Sequence, residues 1–348
     1  MKKKLLTILF ACLLLAVFAP DASGQGLVED RTKLGRTAMQ FLTVSIDPRA
    51  ASMADAMTAQ EASSVAQFYN PAGMARMETT FHASFGITQW FSDIQYNQAS
   101  VAYRPVEGKY GTFGVSVIAV DYGNFLRTIR SGNDQGYEDL GTFNPTAQSF
   151  GFGYAISPTE QFSFGANVKY ARQLLGESII GQEEGSGLVR ENNDVGTLAF
   201  DFGVLYRTGF RSLNFAVGIR NFSQEVSYTD ASQNTFELPL TFRIGFSMDT
   251  MEFVGVELNR EMHKINLSVD AVKPRAFKEQ VRMGGEYVFM ETLALRAGYS
   301  VPNNEERGIN LGAGIQQKLG DIGLGADYAY TQFGVLGDVH RVALQISF

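Results

Sequence analysis

Three histidines are the residues best suited to proton or metal chemistry in this 348-residue chain: His82, His263 and His340. A neutral imidazole ligates zinc or relays a proton near neutral pH. Their spacing fits no metal motif, and the single cysteine, Cys12, lies in a leader expected to be removed. No metal site and no cofactor are expected. His82 sits on the polar side of an alternating stretch, where a general base for ester hydrolysis would stand. No serine or carboxylate spacing completes that arrangement, so enzyme activity is not expected. The acids Asp134, Glu138, Asp139, Glu183, Glu184, Glu191 and Asp194 offer oxygens to calcium but lack the spaced loop that calcium sites use. They read as solvated loop charge.

A third group of charged residues points to architecture rather than catalysis. Lys169, Asp201, Arg243, Arg282, Glu286, Arg296 and Asp327 each stand on the face opposite to apolar neighbours. Such charges suit the polar interior of a barrel more than a selectivity filter. Arg49 is a candidate partner for Asp201 or Glu286. Its own tripeptide, Asp47-Pro48-Arg49, reads as a turn with proline at the second position.

The elements that must carry these residues are strands. From Thr79 onward, segments of about ten residues alternate apolar and polar, the length and period of a tilted membrane strand. Phe81, Ala83, Phe85, Ile87 and Phe91 share one face, and His82, Ser84, Gly86 and Thr88 the other. The same alternation recurs in Ala199–Val204 around Asp201 and in Thr241–Phe246 around Arg243. Tyr96, Tyr103, Tyr154, Tyr170, Tyr206, Tyr287 and Tyr299 read as interfacial girdle residues near strand ends. Fifteen candidate strands can be counted. The short turns Thr208–Ser212 and Met290–Thr292 lie on one side, so an even number must separate them. Phe253–Asn259 is the segment to discard, leaving an all-β, transmembrane antiparallel β-barrel of about 14 strands.

The chain opens with Lys2, Lys3 and Lys4, an apolar run from Leu5 to Ala19, and Ala22-Ser23-Gly24. That pattern reads as a signal peptide over residues 1–24. Its removal takes three lysines and Asp21, and the formal charge moves from −7 to −9. An acidic exported chain is a poor partner for nucleic acid, which selects basic faces. Glycine, at 36 residues, and the 27 Phe and 14 Tyr against 9 Pro suit many strands joined by tight turns. At the other end Val342, Leu344, Ile346 and Phe348 form an alternating terminal strand. It reads as an assembly signal for the barrel assembly machinery, in contact with outer-membrane lipid.

Residues 25–78 form a different kind of sequence, rich in Ala, Ser and Met, preceding the barrel at 79–348. About eight strands make an interior that side chains just fill, so a barrel of fourteen needs more. The 25–78 segment is expected to plug it. Within it, Asn70, Pro71, Ala72 and Gly73 read as a capped helical turn, with the Asn oxygen accepting a backbone N–H and proline first in the turn. Short turns at Pro105–Tyr110, Ser157–Gln161, Thr208–Ser212, Met290–Thr292 and Leu319–Asp321 alternate with longer polar loops at Tyr122–Thr146, Gln173–Asp194, Asn221–Glu237, Pro302–Arg307 and Gln332–Asp338. This asymmetry predicts short turns and both termini on the periplasmic side of a Gram-negative outer membrane. Leu126, Ile129, Phe143, Leu174, Ile179 and Leu188 are apolar residues in the polar loops. They are candidate anchors for a protein partner, or contacts between the loops themselves.

Three N-terminal blocks carry a family resemblance: Gly35–Leu42, Asp47–Ala56 and Phe68–Ala75. With Leu238-Pro239-Leu240, Leu295–Tyr299 and His340-Arg341 they resemble the PorV/PorQ family, over nearly all of the mature chain. The resemblance implies a FadL-like barrel of fourteen strands whose plug contains the Asn-Pro-Ala triplet, here Asn70 to Ala72. It also implies work in type IX secretion: binding the C-terminal signal domains of secreted cargo proteins and passing them to surface attachment machinery. Translocon and sortase would be partners. The other class it leaves open is a FadL-type channel for uptake of hydrophobic small molecules.

Overall fold

A computed structural model describes residues 35–61, 63–183, 187–228, 234–252, 262–302 and 309–348. The expected signal peptide lies outside the described residues, as does Phe253–Asn259, the segment discarded from the strand count.

The strands run in chain order as β1 (Phe81–Gln89), β2 (Gln95–Tyr103), β3 (Thr112–Asp121), β4 (Phe125–Arg130), β5 (Tyr137–Phe143), β6 (Thr146–Ile156), β7 (Phe162–Glu183) and β8 (Gly187–Arg207). They continue as β9 (Asn214–Phe222), β10 (Thr241–Asp249), β11 (His263–Pro274), β12 (Gln280–Phe289), β13 (Leu293–Val301), β14 (Asn310–Leu319), β15 (Ile322–Gln332) and β16 (Asp338–Ser347). Fourteen of them close into an antiparallel barrel in which β1 pairs with both β2 and β16. The remaining two, β4 and β5, form a separate hairpin.

Successive side chains on a strand point to opposite faces, and here the two faces differ chemically. Along β1, His82, Ser84, Gly86 and Thr88 are buried while Phe85 and Ile87 are exposed. Along β16, Val342, Leu344 and Ile346 point out and Arg341 and Ala343 point in. Exposed Phe150, Phe152, Phe164, Leu198, Phe202 and Phe246 continue the same outer band on their strands. An apolar exterior around a polar interior is the arrangement a barrel needs in lipid, where a closed sheet also leaves no unpaired edge.

The buried core lies inside the barrel and belongs largely to the segment before it. Phe41, Leu42, Ile46, Met53, Met57, Phe68, Tyr69 and Met74 are all buried. Among its described residues this segment has no strand. It is built from short helical turns at Gln40–Thr43, Ser64–Phe68 and Pro71–Arg76 and from one short α-helix, α1 (Pro48–Ser52).

Four expectations need correction. Gln173–Asp194 is not a loop: β7 and β8 continue as a two-stranded ribbon, pairing as far as Glu183 with Gly187. Tyr122–Thr146 holds the β4–β5 hairpin instead of irregular chain. Tyr96 belongs to no outer girdle. It is 4 % exposed, on the inward face with Gln98, Ser100 and Ala102, and its ring meets Trp90 edge-on. Asp47-Pro48-Arg49 is the start of α1, not a turn. The Asp47 side chain accepts from Ala50 N–H at 2.9 Å, with proline at the first helical position.

Candidate functional site

Asn70 caps the turn Pro71–Arg76, accepting from Ala72 N–H at 3.1 Å. Its amide nitrogen donates to the Thr58 carbonyl at 2.7 Å and to the Val204 carbonyl of β8 at 3.4 Å. The same side chain therefore shapes the turn and fixes it to the wall. Pro71, Ala72 and Gly73 follow, all buried. The wall accommodates this turn by having no side chain there. A Cβ on Gly203 would overlap the Asn70 side-chain oxygen, and one on Gly165 would overlap the backbone of Pro71 and Ala72. Gly284 and Gly298 make the corresponding seat for Met53. Inward-facing glycines thus let the inner segment's backbone lie directly on the sheet.

Charged residues complete the fit. Arg49 of α1 makes a bidentate pair with Glu286 on β12, at 2.9 and 2.8 Å. Glu286 also accepts from Arg296 Nε on β13 at 2.6 Å. Arg296 reaches Asp327 on β15 at 2.5 Å, and Asp327 accepts from Gln345 on β16 at 2.7 Å. Lys169 and Asp201 pair across β7 and β8 at 2.8 Å, and Arg282 pairs with Asp55 at 3.0 Å. Thr58 N–H and hydroxyl both donate to Asp270, at 3.0 and 2.5 Å. Arg341 Nε donates to the Ser45 carbonyl at 2.8 Å. Of the two partners foreseen for Arg49, Glu286 is the one it meets. Removing one member of such a buried pair costs on the order of 3–5 kcal/mol, because the other is left uncompensated.

The three histidines have separate environments. His82 Nδ1 lies 2.9 Å from Ser64 Oγ, which is also 2.8 Å from Ser100 Oγ. All three residues are buried, and the contacts fasten the turn Ser64–Phe68 to β1 and β2. This serine–histidine contact has no signal in the residue spacing, since it forms only when the inner segment packs against β1 and β2. His263 and His340 each meet a tyrosine hydroxyl, those of Tyr287 and Tyr328, at 2.8 Å. Of the acids expected in the loops, Asp194 pairs with Arg172 at 3.4 Å, while Glu177 on β7 pairs with Arg190 at 3.0 Å.

The hairpin and ribbon stand together at the barrel end opposite the C-terminus. Phe143 packs on Phe125, ring centroids 5.9 Å apart, with the Arg127 guanidinium 5.2 Å from its ring. Gly176 on the β7 extension lies against the same ring, and Arg127 reaches Glu177 at 3.8 Å. Phe143 thus joins the two loops to each other. Leu126 does not, being 72 % exposed. Ile129, Leu174 and Ile179 are half-buried. The side chain of Leu188 lies outside those described. The last strand closes the barrel: Phe81 and Phe348 exchange backbone hydrogen bonds at 2.9 and 3.1 Å, and their rings stack at 4.8 Å.

Two cavities among the described residues bear on function. One, of about 90 Å³, lies within the lumen among Arg220, Arg243, Arg282, Asn221, Leu42 and Phe277. The other is an apolar groove on the outer wall between Tyr154, Phe164 and Phe202.

The family model described as type IX secretion system membrane protein PorP/SprF matches residues 137–345, more than half of the chain. A search of curated proteins found no match. Among solved structures, the toluene transporter TbuX of Ralstonia pickettii is similar, with a TM-score of 0.55 and 13 % identity over 86 % of this chain and 96 % of that one. The toluene transporter TodX of Pseudomonas putida gives 0.54 and 11 % over the same shares. A FadL homologue of Pseudomonas aeruginosa gives 0.51 and 11 % over 87 % and 98 %. At such identities these likenesses establish a shared fold.

Proposed function

Because this chain belongs to the type IX secretion system membrane protein PorP/SprF family, we propose that it is a non-enzymatic outer-membrane barrel that holds or shuttles secreted cargo at the cell surface. In this reading the hairpin and ribbon face outward, and the short turns and both termini face the periplasm. Its role is of the PorV/PorQ kind that the N-terminal blocks resemble, with C-terminal signal domains as the bound element. Translocon and sortase are the neighbouring components.

The observation that carries the reading is the contrast between lumen and outer end. The lumen is occupied by a segment tied to strands on several sides by buried ion pairs and glycine seats. The outer end carries an ordered hairpin and ribbon that leave Leu126 uncovered. An apolar anchor set among Arg127, Arg130 and Glu138 has the composition of a protein-binding patch with a polar rim.

Deleting Phe125 to Thr142 tests it. The barrel should still fold, since surface loops tolerate such change, while cargo accumulates unprocessed or misses the surface. The competing reading is uptake of hydrophobic molecules, which the names of the similar structures suggest. It requires a movable plug, so Asn70→Ala with Pro71→Ala would impair uptake more than the hairpin deletion. Lost uptake in that double variant together with normal secretion in the hairpin deletion would replace secretion by transport. The arginine-lined lumen cavity supports the secretion reading, because an apolar ligand wants an apolar pocket.

A further inference from the structure

The lumen cavity has a charge imbalance that the packing of the inner segment leaves unused. Arg220 on β9 and Arg243 on β10 line it, and they are 9 % and 4 % exposed. A guanidinium carries five N–H donors and does not lose its proton in proteins. Each of these two makes a single long hydrogen bond. Arg220 Nη2 reaches the Leu42 carbonyl at 3.4 Å, and Arg243 Nη1 the Asp55 carbonyl at 3.3 Å. Both Nε atoms are buried without a partner.

The acids nearby balance part of this charge, Asp201 beside Arg220 and Asp270 beside Arg243, but among the described residues no carboxylate hydrogen-bonds to either guanidinium. Asp201 accepts from Lys169, Asn167 and the Asn221 backbone N–H. Asp55 is paired with Arg282. Asp270 is held through Oδ2 by Thr58; its Oδ1 has no hydrogen bond, and the residue is not part of the cavity lining. The third lining arginine, Arg282, is the one paired with Asp55. A buried guanidinium N–H left without an acceptor is costly, because it has given up water and gained no partner in exchange. Two such guanidiniums facing one space of about 90 Å³ form a receptor of the right chemistry and size for a small oxyanion. Guanidinium groups bind phosphate and carboxylate through paired N–H···O contacts.

We propose that this cavity is an anion site, in which Arg220 and Arg243 bind an oxyanion group of the phosphate type. Asn221 Oδ1, a buried acceptor on its wall with no hydrogen bond of its own, accepts from the protonated oxygen of a monoanion. Leu42, Pro274, Phe277 and Pro302 form the apolar part of the lining, so the group can arrive free or on a lipid headgroup. This inference is independent of the cargo reading, since it rests on lumen residues alone.

The test uses the full mature chain in a zwitterionic detergent at constant ionic strength. Inorganic phosphate is titrated against chloride and followed by calorimetry and by the temperature of barrel unfolding. Saturable binding is expected, with affinity reduced tenfold or more in Arg243→Gln and in Arg220→Gln. Arg172→Gln, a variant of an exposed arginine, should bind as the parent does. Heat-modifiable migration on gels reports whether each variant folds, and Arg243→Lys offers a milder change that keeps the charge. Micelles doped with phosphatidic acid provide the same group on a lipid; saturation by these alone would support a headgroup source. If the parent protein shows no saturable response to either probe, or if folded Arg243→Gln and Arg220→Gln respond as the parent does, the proposal fails.

Discussion

Glu286 is the residue on which two lumen guanidiniums converge. Arg49 approaches it from the inner segment and Arg296 from the neighbouring strand. Glu286→Gln removes the charge that both guanidiniums share and leaves them buried. The folded barrel should lose on the order of 3–5 kcal/mol, read as a fall in the temperature at which the compact gel band converts to the unfolded one. An unchanged temperature would mean that these pairs are screened by water and hold nothing. Gly203 makes a complementary case based on space rather than charge. A side chain there collides with Asn70, so Gly203→Val should displace the capped turn while leaving the outer band untouched. Raised protease cleavage near Asn70 in an otherwise heat-modifiable barrel is the expected result. Some of this was legible in the residues themselves. Lone charges opposite apolar neighbours marked the lumen, and Glu286 was a foreseen partner of Arg49. The Ser64–His82 contact and the glycine seats were not, because each depends on where the inner segment comes to lie against strands far away in sequence.

At the scale of elements, alternation with period two revealed the barrel strands wherever it stayed in phase. It failed at the upper half of β7 and β8 for a physical reason. The pairing shifts register between Leu174 and Glu177 and again between Ile179 and Gly181, and each shift moves the side-chain pattern to the other face. A ribbon with those bulges and many charges reads as polar loop. Tyr96 was misassigned from its residue type alone; its phase with Gln98, Ser100 and Ala102 placed it inward. The terminal strand belongs to this scale as well. Phe348 stacks on Phe81 where the sheet closes, so Phe348→Ala should lower the amount of assembled barrel in the outer membrane while export and cleavage continue. Unchanged levels would reduce Phe348 to one more lipid-facing side chain. Its contact across the closure suggests that some loss would come from the joint itself, and a Phe81→Ala variant should then show a similar fall.

At the scale of the whole molecule, a filled barrel carries a hairpin and a ribbon at the end opposite its C-terminus. The fold was legible because membrane barrels impose length, period and even strand number on sequence. The contacts of the hairpin were not, because they depend on three-dimensional loop packing. The central claim is that this hairpin meets secreted protein. Its most direct measurement is a photo-crosslinking amino acid placed at Leu126 in living cells, with one at Val335, fully exposed at the same end, as the control. The account predicts an adduct at Leu126 containing the C-terminal signal domain of a secreted protein, and none at Val335. Cargo reaching the surface normally with no such adduct at Leu126, or with equal adducts at both positions, would contradict it.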